Sequence, residues 1–208
     1  MQKIDLNGIK NIIFDLGGVV VTLDFDEALR RFKEIGCDEI EKVLDPYHQR
    51  GIFLALEEGK LSQQEYYDAL RREAGKFIPN ERIEYAWMGF MKEIPASKLN
   101  LLERLKEKYR LFLLSNTNPV IMSWALTPAF SPQGKSIDQF FDKLYLSYKI
   151  GCTKPAPAIY EYLFRDSGIK AEETLFIDDG AANIEIGNRL GMKTYLAKNG
   201  EDFSYLFD

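Results

Sequence analysis

The sequence predicts an α/β fold: a doubly wound parallel sheet with a helical segment inserted after the first strand. Apolar runs at 12–14, 111–114, 175–177 and 193–196 are typical of strands that are buried on both faces, and 145–147 is a weaker fifth. Helical patterns at 98–109, 157–166 and 181–190 separate the later runs. Because strand and helix alternate, the chain fits a parallel sheet that is covered by helices.

The inserted segment differs from the rest of the chain in its periodicity. From residue 24 to 95 the pattern is helical, with no convincing strand. Ser62 and Glu65 form a capping-box pattern that marks the start of a helix after Gly59. We therefore expect a core domain of residues 1–22 and 96–208 and a helical cap of residues 23–95. We expect the aromatic residues of this segment to form its own core: Tyr66, Tyr67, Phe77, Tyr85, Trp87 and Phe90.

The composition excludes several classes of protein. The 208 residues are 46% hydrophobic and 28% charged, with a net charge of −5, which argues against nucleic acid or an anionic membrane as the main partner. No apolar run approaches the roughly 20 residues of a membrane span, and the N-terminus lacks the apolar stretch of a signal peptide. Cys37 and Cys152 lie far apart, as expected for reduced thiols in a cytoplasmic protein. The single histidine, His48, excludes a histidine-based metal site, and a catalytic role for it is a minor alternative to a surface position.

The first candidate site follows the first predicted strand. Asp15 comes directly after Ile12-Ile13-Phe14 and is followed by Gly17 and Gly18, a pattern that indicates a tight turn with exposed backbone amides. Such amides bind an anion, and a carboxylate beside them can attack it or bind a cation. An ordinary strand-to-loop turn is the structural alternative.

Two further sites are weaker when each is taken alone. Ser115 and Asn116 end another buried run and offer a hydroxyl, an amide and backbone N–H groups, although simple turn capping would also explain them. Lys154 precedes Pro155 at the start of a predicted helix, where a solvent-facing lysine is the simpler interpretation.

The fourth site is a pair of adjacent acids at the end of a hydrophobic strand. Asp178 and Asp179 repel each other unless a cation or Lys154 offsets their charge, and all-oxygen ligands favour Mg²⁺. Helix capping by one of the two is the alternative. Because ligands bind at the carboxyl edge of an open parallel sheet, we expect all four sites to converge there.

In this order, Asp15, Ser115, Lys154-Pro155 and Asp178-Asp179 resemble the four motifs of the haloacid dehalogenase superfamily. The resemblance covers nearly the whole chain, and LEEGKLSQQEYYDAL is similar to a common sequence of the family's helical cap. Within the superfamily the chain most resembles bacterial phosphatases that act on glucose 1-phosphate, which also carry DLG at the first motif.

The resemblance implies a Mg²⁺-dependent phosphatase that hydrolyses phosphate monoesters of small metabolites, with sugar phosphates as the leading class. Asp15 would attack phosphorus and form an aspartyl-phosphate, and Lys154 would neutralise both the nucleophile and the phosphate. The groups implied to hold the phosphoryl oxygens belong to Ser115, Asn116 and Gly18, and those implied to bind Mg²⁺ belong to Asp15, Gly17, Asp178 and Asp179. Asn183 would support the second acidic loop.

One position departs from the family pattern. Most phosphatases of the family have an aspartate two residues after the nucleophile as general acid and base, and here that residue is Gly17. General acid–base catalysis contributes about 10²- to 10⁴-fold in rate. We therefore expect a slow enzyme, a preference for good leaving groups, or an acid supplied by the cap. Asp24, Asp26 and Glu57 are candidates by position, and a solvated surface acid is the alternative for each.

Two other functions remain open from the sequence. A 2-haloacid dehalogenase also lacks the second aspartate, but it needs no metal, and the Asp178-Asp179 pair favours a metal. A regulatory module that binds phosphate with little turnover would also explain Gly17. Turnover that depends on magnesium would distinguish a phosphatase from a dehalogenase. Tight binding of a phosphate mimic without turnover would distinguish a regulatory module from a phosphatase.

Overall fold

A computed structural model describes residues 4–45 and 49–207 of the chain. His48 lies outside the described residues. Within those ranges, no helix combines the length and the apolar character that crossing a membrane requires.

The main sheet has five parallel strands in the order β5-β4-β1-β6-β7. Its strands are β1 (Asn11–Phe14), β4 (Arg110–Ser115), β5 (Lys143–Leu146), β6 (Thr174–Asp178) and β7 (Lys193–Leu196). A separate antiparallel pair consists of β2 (Thr22–Leu23) and β3 (Met91–Glu93). The expected doubly wound α/β fold is confirmed, and all five expected strands are present.

Helices connect the strands. They are α1 (Phe25–Glu34), α2 (Gly51–Glu57), α3 (Gln63–Ala74), α4 (Asn80–Trp87), α5 (Ala96–Lys106), α6 (Pro119–Ala125), α7 (Ser147–Ile150), α8 (Pro157–Ser167) and α9 (Ala181–Arg189). The three helices expected after residue 95 are α5, α8 and α9, and their ends differ from the expected ones by at most three residues, as usual for fraying termini.

The register of the sheet brings the first and fourth sites together. β1 is the central strand, with Phe14 opposite Leu113 of β4 on one side and Ile177 of β6 on the other. All four residues of β1 are buried, because helices cover both faces of the sheet. The residues that follow β1, β4 and β6 therefore leave the sheet at the same edge.

The segment between β2 and β3 is helical and contributes most of a second apolar cluster, which also includes Val120 and Ile121 of α6. Ser62 caps α3, and its hydroxyl oxygen accepts a hydrogen bond from the Glu65 N–H while the Glu65 carboxylate accepts one from the Ser62 N–H, so the capping box is confirmed. Tyr66, Tyr67, Trp87 and Phe90 are buried there as expected. The division of the chain into a core and a cap at residues 22/23 and 95/96 stays a prediction.

Two expectations for this segment are wrong. Phe77 is 78% exposed and lies against the Arg71 guanidinium instead of in the cluster. Tyr85 is also outside the cluster, because its ring lies against the guanidinium groups of Arg31 and Arg82. The segment also contains a strand, β3, which pairs with β2. Three half-exposed residues are too few to produce a period-two pattern, so the strand exists through its pairing partner and has no sequence signal.

Candidate active site

Asp15 lies directly after the central strand and contacts the lysine from the third predicted site. The Lys154 Nζ is 2.9 Å from the Asp15 Oδ1 and 2.6 Å from the Asp178 Oδ2. Both Lys154 and Asp178 are almost completely removed from solvent. Three of the four sequence motifs therefore meet through one buried ammonium group.

The two adjacent acids have different surroundings. Asp178 is 0% exposed, and both of its oxygens are engaged: Oδ2 by Lys154, and Oδ1 by the Gly180 N–H at 2.7 Å and the Asn183 amide at 2.8 Å. The contact with Asn183 agrees with the expected support of this loop. Asp179 is partly exposed and lines a cleft, which Asp15, Ser115 and Lys154 also line. Its carboxylate is therefore the more accessible of the two.

The carboxylates of Asp15, Asp178 and Asp179 suit a divalent cation. One oxygen from each lies within 4.8 Å of the others, and an all-oxygen donor set is what Mg²⁺ prefers. Three carboxylates face a single ammonium group, so a divalent cation is the charge that would neutralise the cluster.

The electrostatics of the cluster follow from burial and charge. Burial raises the pKa of Asp15 above its usual value, the Lys154 charge opposes this, and the Asp178 and Asp179 charges reinforce it. Burial lowers the pKa of Lys154, but the charges of Asp15 and Asp178 outweigh this effect, so that pKa is raised. Lys154 is thus held as a cation next to the carboxyl group proposed to be the nucleophile.

Asn116 fastens the loop after β4 to the loop that carries Lys154. Its side-chain oxygen accepts a hydrogen bond of 2.7 Å from the Lys154 N–H, and its amide nitrogen donates one of 2.9 Å to the Lys154 carbonyl. The Asn116 side chain is therefore used in positioning Lys154. Ser115, the last residue of β4, is 2% exposed, and both Ser115 and Asn116 line the cleft.

The two glycines after Asp15 have different roles. Gly17 lines the cleft, whereas the Gly18 N–H donates a 2.8 Å hydrogen bond to the Val21 carbonyl. The Gly18 amide therefore already has an acceptor, and the expected binding of phosphate by Gly18 stays a prediction. Gly18 has a φ of +74°, and a Cβ there would lie 2.1 Å from the Asp179 Oδ2. The residue is needed for the close approach of Asp179.

We expect Gly18→Ala to abolish most of the activity by moving the Asp179 carboxylate out of the metal cluster. Gly8→Ala is the matched control, because Gly8 has a similar φ of +80° and a Cβ there meets nothing within 4 Å. Both variants should lose about 1–2 kcal/mol of unfolding free energy to the left-handed backbone. Urea unfolding and Mg²⁺-dependent turnover measure the two effects, and equal activity in both variants would contradict this role of Gly18.

Part of the cleft lining comes from the segment that begins with β2 and ends with β3. It is mainly apolar, and the residues on it are Leu23, Gln49, Glu57, Trp87, Phe90 and Met91. Trp87 and Phe90 were expected only as core, and Gln49 had no sequence signal because a single polar residue in a helical segment is normally a surface residue.

The structure distinguishes the three acids that could replace the proton donor missing at position 17. Asp24 caps α1 by accepting a hydrogen bond from the Glu27 N–H, and Asp26 is exposed. Neither lines the cleft. Glu57 does line it and is 7% exposed, so the interpretation of Glu57 as a solvated surface acid is wrong.

The site lies at the carboxyl edge of a parallel sheet and combines a candidate carboxylate nucleophile, a buried lysine and an acidic cluster suited to a metal. This combination is typical of a hydrolase of the α/β class. The model of the haloacid dehalogenase-like hydrolase family matches residues 9–191. The chain belongs to this family.

Relatives with known names and structures support a phosphatase. The chain is 47% identical to the D-ribitol-5-phosphate phosphatase of Bacteroides thetaiotaomicron over 94% of this chain and 95% of that one. A predicted HAD-like hydrolase from Porphyromonas gingivalis has a TM-score of 0.90, 47% identity and 94% coverage of both chains. A HAD-family enzyme from B. thetaiotaomicron, solved as an aspartate-to-alanine variant with magnesium and inorganic phosphate, has a TM-score of 0.92 and 40% identity, covering 96% of this chain and 99% of that one.

These comparisons confirm the predicted class of enzyme: the chain is a Mg²⁺-dependent phosphatase that acts on phosphate monoesters of small metabolites. The similarity to the L-2-haloacid dehalogenase PA0810, at 18% identity and a TM-score of 0.57, shows the shared fold alone. The expectation of weak activity, which rested on Gly17, stays a prediction.

Proposed function

We propose that Asp15 is the nucleophile of this phosphatase and that Lys154 holds both Asp15 and the phosphoryl group in place. Asp15 attacks phosphorus, and an aspartyl-phosphate forms as the bond to the leaving oxygen breaks. The observation that carries this proposal is the 2.9 Å contact between the Lys154 Nζ and the Asp15 Oδ1 inside the acidic cluster. A fixed ammonium group at this point stabilises charge on the transferred phosphoryl oxygens.

Mg²⁺ would be held by Asp15, Asp179 and the Gly17 carbonyl, with Asp178 behind them. When bound, the ion supplies positive charge that neutralises the phosphoryl group. Ser115 and the backbone of Asn116 hold the phosphoryl oxygens, and Asn183 and the Gly180 N–H fix Asp178 from the other side.

We further propose a polyol or sugar phosphate as the substrate, with D-ribitol 5-phosphate as the first candidate. The closely similar phosphatase from B. thetaiotaomicron is named for that substrate. The cleft lining offers Trp87 and Phe90 to a carbon chain, and Asn116, Thr117 and Asn118 beside them can form hydrogen bonds with hydroxyl groups.

The test is phosphate release from a panel of small phosphate esters, with Mg²⁺ and with excess EDTA. We expect turnover only with Mg²⁺, and the highest kcat/KM for D-ribitol 5-phosphate or another polyol phosphate. Turnover that is equal in EDTA would contradict the metal assignment. A preference for esters without hydroxyl groups would contradict the substrate class.

We also propose a cytoplasmic location. Cys37 and Cys152 are both free thiols, which is typical of a reducing compartment.

A further inference from the structure

Glu57 is a buried acid that the cluster of Asp15, Lys154 and the Asp178-Asp179 pair does not use. It is the last residue of α2 and is 7% exposed, and its side chain lines the same cleft as Asp15 and Lys154. The C-terminal end of a helix carries partial negative charge, which disfavours a carboxylate. The position therefore costs stability, and a role in the cleft would explain why an acid occupies it.

The described residues offer the Glu57 carboxyl group no structural partner. Within residues 4–45 and 49–207, no hydrogen bond or ion pair involves its side chain, whereas the neighbouring Glu58 pairs with the Lys60 Nζ at 2.6 Å. A buried carboxyl group without a partner is expensive unless it is neutral or meets a ligand. Glu57 thus faces the cleft with its hydrogen-bonding capacity unused.

The surroundings of Glu57 favour its protonated form. Burial raises its pKa to about 8, the Asp15 charge adds to this effect, the Lys154 charge opposes it, and Glu58 makes a smaller contribution. A raised pKa is what a carboxyl group needs to donate a proton near neutral pH.

The end of α2 is held firmly over the core. Gly59, two residues after Glu57, has a φ of +66°, and a Cβ at this glycine would lie 2.1 Å from the Tyr148 carbonyl oxygen of α7. The loop that follows Glu57 therefore packs closely against α7, the helix that directly follows β5. Glu57 is therefore positioned by backbone packing, independently of any hydrogen bond.

No other acid of the described cleft is free for proton transfer. The acids that line it are Asp15, Asp179 and Glu57, and the first two belong to the acidic cluster. Gly17 stands at the position where an aspartate would otherwise donate the proton. Within the part of the chain that the structure describes, Glu57 is the remaining candidate.

We propose that Glu57 is the general acid and base of this active site, and that an acid on the helical segment replaces the one missing at position 17. This proposal rests on the function proposed above. In the first half-reaction the bond between Asp15 and phosphorus forms, the bond to the leaving oxygen breaks, and that oxygen takes the proton of Glu57. In the second, a water oxygen bonds to phosphorus, the bond between phosphorus and Asp15 breaks, and the water proton returns to Glu57.

The experiment compares Glu57→Gln with Glu58→Gln, which changes the adjacent residue in the same way but lies outside the cleft lining. The substrates are D-ribitol 5-phosphate, phenyl phosphate and p-nitrophenyl phosphate. The last two have nearly the same shape and no hydroxyl groups, and they differ in how much their leaving oxygen needs a proton.

We expect Glu57→Gln to lower kcat about 10²- to 10⁴-fold for D-ribitol 5-phosphate, clearly less for phenyl phosphate and least for p-nitrophenyl phosphate. Glu58→Gln should keep wild-type rates. Adding Gly17→Asp to Glu57→Gln should restore part of the lost rate, because the Gly17 backbone is not left-handed and a Cβ there meets only the flexible end of Leu23, at 2.9 Å.

Three outcomes would overturn the proposal. The first is an equal loss of kcat in Glu57→Gln for both aryl phosphates. The second is a raised KM for D-ribitol 5-phosphate while turnover of both aryl phosphates is unchanged. That result would make Glu57 a binding residue for substrate hydroxyls. The third is wild-type kcat in Glu57→Gln. Should that variant fail to fold, wild-type kcat/KM that falls steeply from p-nitrophenyl to phenyl phosphate would count against a proton donor. Absence of Mg²⁺-dependent turnover in the wild type would instead sink the function proposed above.

Discussion

Asp15→Asn should lower kcat by about 10⁴-fold or more while the protein stays folded. An amide has nearly the shape of a carboxylate but is a far weaker nucleophile, and loss of a nucleophile costs about this much in other hydrolases. Burial disfavours the Asp15 charge more than Lys154 favours it, and Asp178 and Asp179 also repel it, so a neutral amide removes a charge that the folded protein disfavours, while Lys154 keeps Asp178 as its partner. We therefore expect the variant to unfold at a temperature no lower than that of the wild type.

Steady-state phosphate release and thermal unfolding test this expectation, and mass spectrometry of acid-quenched enzyme shows whether phosphate is bound to the peptide that contains Asp15. Asp26→Asn is the matched control, because Asp26 is exposed on α1 and lies outside the cleft lining. Asp15→Ala guards against reversion by deamidation. Covalent phosphate on another residue, or near wild-type turnover in Asp15→Ala, would contradict the proposed mechanism.

Lys154→Met should have the largest effect on stability as well as removing activity. The substitution keeps most of the buried volume but leaves Asp15, Asp178 and Asp179 without their ammonium partner. Removing one member of a buried ion pair costs about 3–5 kcal/mol, because the remaining charge is uncompensated. We expect a loss of that size in the free energy of unfolding, measured by urea denaturation in EDTA.

Lys149→Met provides the comparison, because Lys149 is exposed on α7 and its substitution should change the unfolding free energy by no more than about 0.5 kcal/mol. A similarly small change in Lys154→Met would show that the charges of the site do not depend on Lys154. It would also remove the electrostatic basis for the proposed position of the phosphoryl group.

The sequence was informative where a residue's position along a strand determines its position in space. Asp15, Ser115 and Asp178 end or follow strands β1, β4 and β6, and parallel strands end at one edge of the sheet. Their convergence could therefore be predicted without knowing any side-chain contact. Lys154 was uncertain when taken alone, because its burial depends on Asp15 and Asp178, which are distant in the sequence.

The sequence was less informative where a residue's role depends on a contact between distant segments. Glu57 precedes another acid and a glycine, a pattern typical of a solvated helix end, and its burial arises only when α2 meets the core. Gly18 carries the same left-handed backbone as Gly8, and only the position of Asp179 makes the first of them demanding. No pattern within either segment contains this information.

Asp15 and Glu57 are held in place by different kinds of structure, because β1 is the central strand of the sheet and α2 is a short helix. The Asp15 N–H donates to the Ile177 carbonyl, and β1 has hydrogen-bonded neighbours on both sides, so we expect its amides to be among the slowest to exchange with solvent. Glu57 instead ends a seven-residue helix, α2, whose place beside the core depends on side-chain and backbone packing such as the close approach of Gly59 to Tyr148. The nucleophile is thus held by strand pairing, whereas the proposed proton donor is held by the packing of a short helix.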